Sequence, residues 1–229
     1  MSTAELLAEL DSFTACDVAD ALQKLSVLGF IPDISMYSPQ WLDPTVKIIG
    51  PAFTVKMVKV DSENPPPTPK SSVHFVDQVP SGSVLFITAP SDCTNAVVGG
   101  LLATRAQVLG ASGIVVNGRI RDLDELQEMG FPVFAKGQSC VGTGGRVVSA
   151  FNPAISSPRI LVQGDMGIPM WVTNGDILVA DLNGVVRIPQ DQLEAVVDLC
   201  KRCQPIEAQC QRDIQNGHGF RETLAKYRP

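Results

Sequence analysis

Gly99 and Gly100, followed after some twenty residues by the adjacent pair Arg121 and Asp122, are the residues whose types and spacing best suit the handling of a small charged molecule. The two glycines carry no side chain to block a ligand. They precede Leu101-Leu102-Ala103-Thr104-Arg105-Ala106, mostly good helix formers, so the first amides of that helix would lack intrahelical partners. Such a terminus binds carboxylate or phosphate. Arg121 adds a cation and Asp122 a hard oxygen donor, so one cleft can combine an anion cradle, a cation and a metal ligand. Plainer readings compete: Arg121-Asp122 as a surface ion pair or, with Leu123-Asp124-Glu125-Leu126 following, a helix cap, and the glycines as a close helix-strand contact.

The elements around these residues read as alternating strands and helices. Ser83 to Thr88 is a buried strand, Ala96 to Gly110 a helix ending in glycine, and Gly113-Ile114-Val115-Val116 the next strand, with Asn117-Gly118 as the turn leaving it. This β-α-β order predicts a right-handed crossover and puts Arg121-Asp122 at a strand's carboxyl end, where α/β folds place ligands. Upstream, helices are expected over Ser2 to Leu10 and Cys16 to Leu25, the second capped by Thr14 three residues ahead of Asp17. The proline-rich stretch from Asp61 to Lys70 is a surface loop. Beyond Gly130 come short strands at Pro132-Phe134, Arg146-Val148, Ile160-Val162, Ile177-Val179 and Val185-Ile188, which suggest an antiparallel layer. Asp181 shapes a turn with Asn183 and Gly184. Gln190 to Tyr227 is helical, broken near Pro205 and at Gly217-His218-Gly219. Its apolar positions Leu193, Val196 and Val197 could pack between subunits. The elements alone give an α/β class with part of the strand content antiparallel.

Composition narrows the function classes. With 229 residues and 45% hydrophobic content the chain can bury one substantial core. A net charge of −6 with no dense Lys/Arg patch argues against a nucleic-acid partner. No early stretch has the form of a secretory signal and no run approaches the ~20 apolar residues that cross a bilayer, so no membrane association and a cytoplasmic location are expected. The six cysteines then read as reduced thiols. Cys200, Cys203, Cys210 and His218 have poor zinc spacing, and the three cysteines share a helix face as a packing stripe would. Only two histidines, His74 and His218, are present, neither with an evident nucleophile beside it.

The segments GGLLATRA (99–106), GASGIVVNGRIRD (110–122) and ELQEMGFPVFAKG (125–137) resemble the signature of the RraA-like family, which holds 4-hydroxy-4-methyl-2-oxoglutarate aldolases with oxaloacetate decarboxylase activity and also non-catalytic inhibitors of ribonuclease E. Thr14 to Leu22, Gly50 to Val55 and the run from Gly175-Asp176 through Asp181 and Gly184 to Pro189 are similar to further parts of that family. The resemblance implies a swivelling β/β/α layered domain over residues 1–189, with 190–229 as a C-terminal helical extension packing on the same domain or on a neighbouring subunit of a homotrimer or hexamer. It implies a lyase that cleaves short 2-oxo diacids to pyruvate with a divalent cation, Mg2+ or Mn2+. In that reading Asp122 is the metal ligand and, with Arg121, catalytic. Arg121 pairs with the substrate carboxylate, and Gly99, Gly100, Leu101 and Leu102 bind its anionic end through backbone amides.

Two departures from the family pattern stand out. Aldolases of the family commonly carry an acidic residue where this chain has Gly100, and Asp is frequent where it has Asn117. Asp92, or Glu194 or Glu207 from a neighbouring C-terminal helix, are candidates to compensate. The alternatives are a non-catalytic protein-binding regulator, whose members typically lack the Asp of the Arg-Asp pair, and a Schiff-base lyase using Lys136 or Lys56.

Overall fold

The computed structural model describes residues 1–59, 73–144, 147–149, 159–162 and 169–228. The expected loop from Asp61 to Lys70 lies outside them. In chain order the elements are α1 (Thr3–Leu10), α2 (Ala15–Lys24), β1 (Phe30–Ile31), β2 (Ser35–Ser38), β3 (Ile48–Lys59), β4 (Val84–Thr88), β5 (Ala96–Val98), α3 (Gly100–Val108), β6 (Gly113–Ile120), α4 (Leu123–Glu128), β7 (Val133–Gln138), β8 (Val147–Ser149), β9 (Arg159–Val162), β10 (Met170–Thr173), β11 (Ile177–Asp181), β12 (Gly184–Ile188), α5 (Leu193–Gln215) and α6 (Phe220–Tyr227).

One large sheet runs in the order β1-β12-β11-β3-β4-β6-β7-β2, with β5 beside β6 and β8 beside β3, while β9 and β10 pair separately. Its middle, β3-β4-β6-β7, is parallel, and β11, β12 and β1 continue it antiparallel. Strand alternation assigns the faces. Leu85, Ile87, Ile114 and Val116 point to a core shared with Ala103 and Ala106 of α3 and Leu126 of α4. Val84, Phe86, Val115 and Phe134 point the other way, into a core that also takes Ile31, Met36, Leu178, Ala180 and Val185 from both ends of the strand order. Residues from both ends sharing one interior require the sheet to curl on itself. On its outer face, Ile177, Val179, Val186 and Ile188 meet Leu6, Leu10, Val18 and Leu22 of α1 and α2 and Leu193, Val196, Val197 and Cys200 of α5. Each such apolar side chain contributes about 1.5–3 kcal/mol by leaving water.

The helix starts follow local chemistry. Ser2 and Thr14 cap α1 and α2, each in a reciprocal capping box with Glu5 and Asp17. Asp181 then accepts the Ala15 amide hydrogen at 2.8 Å and the Asn183 amide hydrogen at 2.8 Å, so the turn it shapes also holds the start of α2.

Several sequence expectations are corrected. Ala96-Val97-Val98 is a strand: two adjacent β-branched residues favour extension, and β5 pairs with β6, so the helix begins only at Gly100. Asn117-Gly118 is not a turn but continues β6, with a register shift against β7 between Val116 and Arg119. A Cβ at Gly118 would lie 2.8 Å from that of Ala89, so glycine there serves close approach. β7 joins the parallel set, because α4 is a crossover between it and β6. Pro205 does not break α5, which runs unbroken for 23 residues. Pro205 faces solvent, where water can satisfy the carbonyl it frees. Leu193, Val196 and Val197, expected between subunits, are buried within this chain.

Candidate active site at the start of α3

β5 and β6 end side by side, and the Arg121 amide donates to Val98 O at 3.0 Å. That bond fixes Arg121-Asp122 against the entry of α3. Asp122 caps α4 in the left-handed region, φ 59° and ψ 46°, where aspartate is tolerated better than most residues. Its backbone carbonyl accepts from the Leu126 amide at 3.0 Å, but its side chain makes no capping bond to α4. Instead Asp122 Oδ2 accepts the Gly100 amide hydrogen at 3.0 Å and lies 3.3 Å from Arg121 Nε. The carboxylate thus spans the two helices, and Oδ1 has no protein partner among the described residues.

Side chains in place of the glycines would displace the charged groups around them. A Cβ on Gly99 would stand 2.4 Å from Asp122 Oδ2 and 3.1 Å from Arg121 Nε. A Cβ on Gly100 would stand 1.8 Å from Glu125 Oε2. Gly142, which no sequence signal singled out, does the same for the guanidinium, with 2.8 Å between its notional Cβ and Arg121 Nη1. Asn95 Nδ2 holds Gly142 by its carbonyl at 2.7 Å. Arg121 is therefore threaded between two glycines, and its side chain remains 45% exposed.

Of the four cradle residues, Gly100 commits its amide to Asp122, and Ala103 N donates to Gly99 O at 3.1 Å. The amides of Leu101 and Leu102 are left as the orphan donors of the first turn. The Leu101 side chain is 90% exposed.

The other sequence candidates lie elsewhere. Asp92 is ion-paired with Lys59, whose ammonium holds the Asp92 carboxyl below the usual range. Within the chain, Glu194 pairs with the N-terminal amine and Glu207 with Arg228. Asp17 serves its capping box, and Asp20 lines a cleft of about 630 Å3 with Lys24, Cys203 and Tyr227, apart from the Arg121 site. Lys56 is exposed on β3 and Lys136 is half-buried on β7. His74 caps the short 3-10 turn Phe75–Gln78. Asn117 is buried, donates to Thr88 Oγ1 at 2.8 Å and leaves its Oδ1 without a partner. All six cysteines are free; Cys200 Sγ faces Asp17 O, and Cys203 Sγ accepts from Lys24 Nζ at 3.0 Å. Among the described residues no group of three or more His, Cys, Asp or Glu side chains is arranged to hold a metal. Of the carboxylates here, Asp122 is held by the Gly100 amide beside Arg121, and Glu125 lies over Gly100. Nor, among those residues, is any helix long and apolar enough to cross a membrane.

Comparison with known proteins gives these residues a family. A Halalkalibacterium halodurans protein named "Putative 4-hydroxy-4-methyl-2-oxoglutarate aldolase" is 29% identical over 203 residues, covering 89% of this chain and 85% of its own. The Legionella pneumophila protein DlpA is 29% identical over 97% of this chain, which spans only 34% of DlpA. A Thermus thermophilus 4-hydroxy-4-methyl-2-oxoglutarate aldolase is 30% identical over 48% of this chain and 61% of its own length. In fold, an uncharacterized Pseudomonas syringae protein superposes with a TM-score of 0.76 at 23% identity, over 96% of this chain and 97% of the other. Streptomyces coelicolor RraAS2, described as an unusual member of the RNase ES inhibitor RraA protein family, gives 0.74 at 22% identity over 91% and 97%. These neighbours fix the architecture as RraA-like. With the Aldolase/RraA profile matching residues 15–187, well over half its length, the chain belongs to the RraA-like family.

Proposed function

We propose that this protein is a divalent-metal-dependent lyase that cleaves short 2-oxo diacids to pyruvate, acting as a 4-hydroxy-4-methyl-2-oxoglutarate aldolase and oxaloacetate decarboxylase. The observation that carries the reading is the posture of Asp122. Its backbone is held left-handed, Oδ2 is pinned by the Gly100 amide beside Arg121, and Oδ1 has no donor among the described residues. A carboxylate fixed by one oxygen and open at the other suits a hydrated Mg2+ or Mn2+, which needs only one or two protein oxygens when substrate and water supply the rest. The lack of a side chain at Gly99 leaves room for that carboxylate and for Arg121 beside it. When bound there, such an ion would supply Lewis-acid polarisation of the 2-oxo group.

The chain's own residues bind and orient. Arg121, steadied by Asp122 through Nε, keeps its Nη groups for a substrate carboxylate. The free amides of Leu101 and Leu102 add hydrogen bonds and the positive end of α3 to the same anionic group. Gly99 and Gly142 let the Arg121 side chain pass close to two backbone segments, which limits the poses a bound diacid can take. Assembly as a homotrimer or hexamer belongs to the same reading, and light scattering after gel filtration tests it.

The deciding measurement is pyruvate release from oxaloacetate by purified protein with Mg2+ or Mn2+, with a chelator, and with Asp122→Ala, less the metal-only rate. Metal-dependent release that the variant loses supports the lyase. No release above background from folded protein, with oxaloacetate and with 4-hydroxy-4-methyl-2-oxoglutarate, sinks it and favours a non-catalytic protein-binding regulator.

A further inference from the structure

We infer that Glu125 is a positioning carboxylate for the metal at Asp122: it accepts hydrogen bonds from the ion's water ligands on the α3 side, from the volume that a side chain at residue 100 would occupy. The inference rests on the metal reading of Asp122 and adds a residue to it.

The geometry begins with α4. Asp122 and Glu125 are three residues apart, so their side chains leave the same face of the helix start. Both converge on the first residue of α3. Asp122 takes the Gly100 amide hydrogen at 3.0 Å. Glu125 lays its carboxylate over the Gly100 Cα, with Oε2 at 1.8 Å and Cδ at 2.9 Å from the position of an ideal Cβ. Nothing in the Gly100 backbone calls for glycine, since it is helical and has no positive φ. What a side chain there would meet is the tip of the exposed Glu125 carboxylate, which would have to swing aside.

Charge supplies the second argument. Arg121 pairs with Asp122, while the Glu125 carboxylate has no hydrogen bond or ion pair among the described residues. Asp122 and Glu125 bring two carboxylates to the α3 terminus, where only Asp122 is paired with a guanidinium, and the helix dipole offsets part of the excess negative charge. A hydrated divalent cation on Asp122 balances it. Glu125 would then act through water, because Mg2+ and Mn2+ retain several waters. Carboxylates in such a role change metal affinity by about 10–100-fold.

The alternative role for Glu125 is a purely structural partner of the α3 dipole, which affects stability and not metal affinity. The test is titration of Mn2+ in the presence of oxalate, followed by the electron paramagnetic resonance of free Mn2+, with a melting curve for each protein. Glu125→Ala and Glu125→Gln are expected to raise the Mn2+ Kd about 10–100-fold. Gly100→Asp placed in the Glu125→Ala background, where its side chain has room, is expected to recover most of the loss. Wild-type affinity in both Glu125 variants, alongside loss of binding in Asp122→Ala, overturns this inference and leaves the lyase reading standing. No binding to wild type, or equal binding by Asp122→Ala, overturns both.

Discussion

Asp122 Oδ2 accepts the Gly100 amide hydrogen at 3.0 Å while the Asp122 backbone stays left-handed, so one residue ties α4 to the mouth of α3 at a cost in backbone strain. For a residue other than glycine that region costs on the order of 1–3 kcal/mol, with aspartate and asparagine at the low end. Strain and function can therefore be separated by substitution. Asp122→Asn keeps an acceptor for Gly100 and tolerates the backbone, so its unfolding free energy should stay within about 0.5 kcal/mol of wild type. On the proposed lyase reading, its metal-dependent turnover should fall by more than the ~100-fold typical of an outer partner, because the charged donor itself is gone. Asp122→Ala should lose both activity and roughly 1–2 kcal/mol of stability. An active Asp122→Asn enzyme would remove Asp122 from the metal.

Gly99 is extended, with φ −142°, so any residue could adopt its backbone. What forbids a side chain is the neighbouring carboxylate, 2.4 Å from a notional Cβ and already pinned by Gly100. Gly99→Ala should push Asp122 off that amide. The lost hydrogen bond costs about 1 kcal/mol, a small change in melting temperature. On the proposed lyase reading, the displaced carboxylate and guanidinium should lower kcat/KM on oxaloacetate at least about tenfold, or ~1.4 kcal/mol of transition-state binding. A fully active, equally stable Gly99→Ala protein would show that the cradle is looser than its geometry indicates.

The parts of this arrangement legible in sequence were those written in local chemistry. Thr14 with Asp17 announced a capping box, the apolar run at Ser83 to Thr88 a buried strand, and Gly99-Gly100 with Arg121-Asp122 a juxtaposition that the structure does bring together. What stayed hidden depends on contacts distant in sequence. Ala96 to Val98 is extended because β6 is there to pair with it, and Asn117-Gly118 stays in the strand because Thr88 and Ala89 pack against it. Gly142 and Glu125 carry no motif of their own. Their relevance appears only when the fold sets them against Arg121 and Gly100.

Asp176 and Arg187 form an ion pair near the β11 start, 2.7 Å from Oδ2 to Nε, with side chains 7% and 16% exposed. The same oxygen accepts the Thr173 amide hydrogen at 2.7 Å, and the Asp176 carbonyl accepts from Ala52 at 2.7 Å. Removing one partner leaves a mostly buried charge without its counterion, which typically costs about 3–5 kcal/mol. Asp176→Ala should lose that much in urea unfolding. Arg187→Met in the Asp176→Ala background should recover part of it, because the uncompensated charge goes. A loss under about 1 kcal/mol in the single variant would mean that water reaches Arg187 and screens it.

Cys200 lies on the inner face of α5 against α1 and α2, and burial, with Asp17 next in effect, pushes its thiol up from 9.0 to about 12. Two consequences share that cause. In folded protein at pH 8, a disulfide reagent should modify exposed Cys140 first, whereas Cys200 should react only on unfolding, since the thiolate is the nucleophile. The folded pKa exceeds the unfolded one, so between the two the folded state holds a proton that the unfolded state has released. This contribution to stability is complete below about pH 9 and is lost progressively as pH rises towards 12. Urea unfolding across that window should show Cys200→Ala losing stability less steeply than wild type as pH rises. Parallel curves would mean that the thiol ionises as readily in the folded protein as in the open chain.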